Sequence, residues 1–61
     1  MDLKEILDGY TEARKRLTVL RVAEYGENDF VWNKLYRVDL YLKRAQTEAA
    51  EAYFADTEVA A

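Results

Sequence analysis

The sequence predicts an all-α fold, an antiparallel two-helix hairpin of coiled-coil character. Two observations carry that prediction. Apolar residues recur at heptad spacing in both halves of the 61-residue chain, and the only cluster of turn-forming residues, Gly26-Glu27-Asn28-Asp29, lies between the halves. With no proline anywhere, nothing else interrupts helix-favouring composition.

In the first half Leu3, Ile6, Tyr10, Ala13, Leu17 and Leu20 follow the alternating three- and four-residue steps of a helix that packs along its whole length. Asp2, three residues before Glu5, places a carboxylate where the free amides of a first turn need an acceptor, so the helix is expected over 2–25. Gly26 suits a left-handed closing residue, and Asn28 or Asp29 suits the cap of the next helix. That helix is expected over 29–57, with the turn at 26–28 and Thr57 to Ala61 frayed. Its stripe is Val31, Leu35, Val38, Leu42, Ala45, Ala49 and Ala52, reaching Val59 in the same phase. The short connection makes the helices antiparallel neighbours, roughly 36 and 43 Å long. Residues 1–61 therefore form one helical-hairpin domain. Folding about the turn sets Gly9 and Ala13 against Ala45, Ala49 and Ala50, which predicts close packing of small residues at the open end.

The apolar residues exceed what one seam needs. Val19 and Val22 stand beside the first stripe, and Phe30, Trp32, Tyr36, Leu40 and Tyr41 beside the second. Trp32, Tyr36 and Leu40, one turn apart, are expected to form an exposed ridge, with Tyr53 and Phe54 as a second contact point. A chain this short buries only about 60% of its unfolded surface, so a partner is expected. Pairing of two hairpins into a dimeric four-helix bundle is the simplest remedy, and docking of the ridge on a different protein is the other. On that reading Trp32→Ala lowers the oligomer mass at micromolar concentration and leaves helicity mostly intact. The expected function is a small non-enzymatic protein–protein interaction module: an adaptor, assembly or regulatory subunit.

Charge is segregated along the chain. Residues 1–13 carry −3, residues 14–44 carry +4 and residues 45–61 carry −4, for a net −3. The hairpin thus has a basic belt and an acidic open end. Arg14, Arg21, Arg37 and Arg44 define an alternative, phosphate contacts of a nucleic-acid-binding hairpin dimer, although the net charge is negative where such proteins are usually basic. Glu12–Arg16 and Asp39–Lys43 are spaced as local ion pairs that would neutralise part of the belt.

Several classes are excluded by composition. The chain has no cysteine and no histidine, so it has no disulfide, thiolate zinc site or imidazole base, and no catalytic, cofactor-binding or metal-binding residue is expected. It has no phosphate-binding glycine loop and no calcium-loop pattern. No apolar run approaches the roughly 20 residues of a membrane span, and Met1-Asp2-Leu3-Lys4-Glu5 does not read as a signal peptide. Cytoplasmic localisation is the expectation.

Overall fold

The computed structural model describes residues 2–60, with side chains through Thr57. It contains two α-helices that pack on each other, α1 (Leu3–Tyr25) and α2 (Asp29–Ala60), as a rod of 49 × 15 × 13 Å. Helix α2 continues three residues beyond its expected end. The stripe position assigned to Val59 lies outside the described side chains.

Both helix starts are capped as the residues dictate. Asp2 has extended backbone, its Oδ1 accepts from the Glu5 amide at 2.8 Å, and its carbonyl accepts from the Ile6 amide at 3.2 Å. Asn28 is the cap of α2. Its Oδ1 accepts from Val31 N–H at 3.1 Å and its carbonyl from Trp32 N–H at 2.8 Å. Asn28 also donates its own amide to the Tyr25 carbonyl at 3.1 Å, which closes the turn between the helices. Removing this cap with Asn28→Ala is expected to cost about 1 kcal/mol, read as a lower thermal midpoint at fixed concentration.

Gly26 departs from expectation. It keeps right-handed helical backbone, φ −58° and ψ −28°, so left-handed freedom is not what the turn uses. Glycine is needed there for space, because a Cβ would stand 2.9 Å from the Val22 carbonyl oxygen. Gly9 also departs. It is exposed, and a Cβ there would meet nothing within 4 Å, so small residues of the two helices do not close on each other at that point.

The seam between the helices is not the one the apolar stripes define. On α1 the inward positions are Leu3, Leu7, Tyr10, Arg14, Leu17 and Arg21; on α2 they are Trp32, Leu35, Asp39, Leu42, Gln46, Ala49 and Tyr53. At every second stripe position the successor also turns inward; Ala13, Val31 and Ala45 stay half-buried at the edge of the seam, whereas the other four such stripe residues are exposed. Ile6, Leu20 and Val38 lie 37%, 42% and 43% exposed, and Ala52 is exposed as well. At about 100° per residue the contact line is turned by roughly 50° from each stripe. This rotation brings Arg14 and Arg21 of α1 and Asp39 and Gln46 of α2 into the seam, where the polar groups find partners across it.

As a result the seam is partly polar. Among the described residues no hydrophobic side chain is fully buried, and the one buried residue is Arg21. Arg14 Nε donates to Asp39 Oδ1 at 3.1 Å and its Nη1 to Gln46 Oε1 at 2.8 Å, while Gln46 Nε2 donates to Thr11 Oγ1 at 2.8 Å. Thr11 in turn donates to the Leu7 carbonyl at 3.1 Å. Four side chains are thereby tied across the seam, which sets the register of α2 against α1.

Candidate interaction surface

The seam divides the rod into two flanks, and the cross-helix contacts identify them. Thr11, Trp32 and Tyr36 lie on one flank. There the rings of Trp32 and Tyr36, one turn apart, are parallel, with centroids 6.0 Å apart and planes within 1°. The Arg21 guanidinium lies across both, its Cζ 4.1 Å from the Trp32 centroid and 5.1 Å from that of Tyr36. Arg21 is only 8% exposed and its Nε makes no hydrogen bond, so the ring faces are its main compensation.

Trp32 is accordingly drawn inward and half-buried, whereas Tyr36 and Leu40 stay 43% and 46% exposed. The expected ridge is therefore split between hairpin packing and surface. Val22 shares the flank of Tyr36 and Leu40 by helical position and is well exposed. Val19 faces away from the seam, in a shallow groove on the outside of α1 with Leu20 and Ala23. Phe30 is exposed beside the turn, with Lys34 Nζ 5.4 Å from its ring centroid. At the open end Tyr53 is half-buried and Phe54 exposed, their rings edge-to-face at 5.6 Å. The eight residues expected to contribute contacts thus occupy several faces of the rod.

The opposite flank gathers residues that were expected to oppose one another. Ile6, Ala13 and Leu20 of α1, and Val31, Val38, Ala45 and Ala52 of α2, all fall on the side away from Thr11 and Tyr36. The half-buried Leu17, Leu35, Leu42 and Ala49 border it. The two apolar stripes therefore run side by side as one continuous surface along the rod.

The basic belt is also redistributed. Arg14 and Arg21 turn into the seam, to Asp39 and to the aromatic rings, while Arg37 and Arg44 point outward from α2. The four arginines do not share a face. Asp39 pairs with Arg14 rather than with Lys43; the Glu12–Arg16 pair forms at 4.0 Å, and Lys4–Asp8 at 3.1 Å. The hydrogen bond to Asp8 holds the exposed Lys4 ammonium above its usual pKa.

What pattern-reading missed are the inward polar residues. Leu7, Arg14 and Arg21, like Trp32, Asp39, Gln46 and Tyr53, repeat at strict seven-residue intervals. A search for apolar periodicity passes over them. The signal that reveals them is the complementary pair Arg14 and Asp39, which meet once the helices are folded back.

No helix of the described chain is long and apolar enough to cross a membrane. No protein-family model matches the chain, and no curated protein or solved structure matches it significantly.

Proposed function

We propose that this hairpin is a non-enzymatic protein–protein interaction module that completes its core by association, in its simplest form as a dimeric four-helix bundle, and acts as an adaptor, assembly or regulatory subunit. Its place of action on this reading is the cytoplasm. The observation that carries the proposal is the missing core: a folded 61-residue chain whose described hydrophobic side chains all keep some contact with solvent.

Area makes the point quantitative. The chain exposes 4993 Å², whereas a compact monomer of 7.1 kDa is expected to expose about 4,100 Å². The excess reflects the elongated 49 × 15 × 13 Å shape, which association along the rod would reduce. Nucleic-acid binding through Arg14, Arg21, Arg37 and Arg44 draws no comparable support, since two of the four are occupied in the seam.

Sedimentation equilibrium tests the reading. A mass of twice 7.1 kDa is expected at micromolar concentration. A single 7.1 kDa species up to millimolar concentration would contradict association with itself.

A further inference from the structure

We infer that the partner is a second copy of this chain, that it covers the flank carrying the two apolar stripes rather than the Trp32–Tyr36–Leu40 side, and that the two hairpins lie with their turns at opposite ends. The inference rests on the self-association proposed above and adds the face and the direction.

Three observations select the face. The stripe flank draws apolar residues from both helices, from Ile6 to Leu20 on α1 and from Val31 to Ala52 on α2, over much of the length of the rod. Residues exposed on it, Ile6, Leu20 and Val38, sit at the heptad positions that pack between helices of a bundle. On the other flank Trp32 and Tyr36 already have an occupant, the Arg21 guanidinium. Lys15 and Thr18 lie there too, beside Thr11 and Gln46, as a polar strip.

Shape and charge select the direction. Toward the turn the stripe flank is bulky, with Leu17, Leu20, Val31, Leu35 and Val38; toward the open end Ile6 is its one large exposed residue, beside Gly9, Ala13, Ala45, Ala49 and Ala52. Opposite-end turns lay the bulky half of each copy over the small half of the other, which is how facing layers fill space. Gly9, with open space where a Cβ would be, then has a surface to meet. The same arrangement sets residues 14–44, at +4, against the acidic segments 1–13 and 45–61, at −3 and −4. Turns at the same end would oppose like charges and bulky layers.

Val38 and Leu40 make a matched test, being 43% and 46% exposed on opposite flanks. By sedimentation equilibrium, Val38→Lys is expected to weaken the dimer on the order of 100-fold, since it places an unpaired charge in the interface, and Leu40→Lys to leave the mass doubled. Dissociation by Leu40→Lys alone, or by neither variant, overturns the assigned face; a monomeric parent chain overturns self-association itself. Direction is read separately on the unmodified face. The chain has no cysteine, so a spin label on Glu27→Cys is unique. Its pair separation is expected to approach the 49 Å rod length. A separation within about 20 Å, as two adjacent turns would give, overturns the opposite-end arrangement.

Discussion

Trp32→Ala is expected to lower the stability of the hairpin by about 2–3 kcal/mol, in addition to any effect on association. The indole is half-buried and lies 4.1 Å from the Arg21 guanidinium, so its removal loses packing and uncovers a buried cation with an unpaired Nε. A full Trp→Ala core truncation costs about 3–5 kcal/mol; partial exposure reduces the packing part and the lost cation–π contact adds to it. For a domain of this size the thermal midpoint should fall by about 10–20 °C, measured by circular dichroism at fixed concentration. This revises the expectation that helicity survives the substitution. An unchanged midpoint would show that the ring platform does not hold the helices together.

Asp39→Ala is the second substitution with a large expected effect. It leaves Arg14, whose side chain is only 32% exposed, with Gln46 as its remaining partner across the seam. Partial exposure of the arginine allows water to compensate in part, so the expected cost is about 1–3 kcal/mol rather than the larger penalty of a fully buried orphan charge. Replacing both members, Arg14→Leu with Asp39→Leu, should restore part of that stability, because the two apolar groups need no hydrogen bonds although Gln46 Oε1 loses its donor. A double-mutant cycle of Arg14→Leu, Asp39→Leu and the pair, read by urea unfolding, measures the coupling. Additive single effects would mean that the pair does not set the register.

The helices were legible because local chemistry determines them: Asp2 and Asn28 present cap acceptors to free amides, and the absence of proline leaves both segments uninterrupted. Antiparallel pairing followed from the short turn. The rotation of the seam was not legible, since Ile6 and Leu20 on one side and Leu7 and Arg21 on the other satisfy the same heptad step, and periodicity ranks them by hydropathy alone. Tertiary contacts decided between them, through the Arg14–Asp39–Gln46 bonds and the cover that Trp32 and Tyr36 give Arg21. Gly26 illustrates a similar gap. Its composition signalled a turn correctly, but the reason, lack of room beside the Val22 carbonyl, exists only in the folded chain.

The surplus of apolar surface was visible from Val22, Phe30, Tyr36, Leu40 and Phe54, and these are exposed. Its arrangement was not. An aromatic ridge with a second contact point at Tyr53 and Phe54 was expected, whereas the described surface has a stripe flank shared by both helices and a separate aromatic flank partly used by Arg21. The difference follows from the roughly 50° turn of the contact line, which carries both stripes to the same side of the rod.

The central claim is that folding of this chain is coupled to covering its apolar surface with another protein surface. Thermal unfolding by circular dichroism from about 1 μM to 1 mM chain tests it most directly, because mass action ties the stability of an associating fold to concentration. The account predicts a midpoint that climbs steadily across that range, together with a doubled mass. A midpoint that stays fixed while the chain sediments at 7.1 kDa would contradict it.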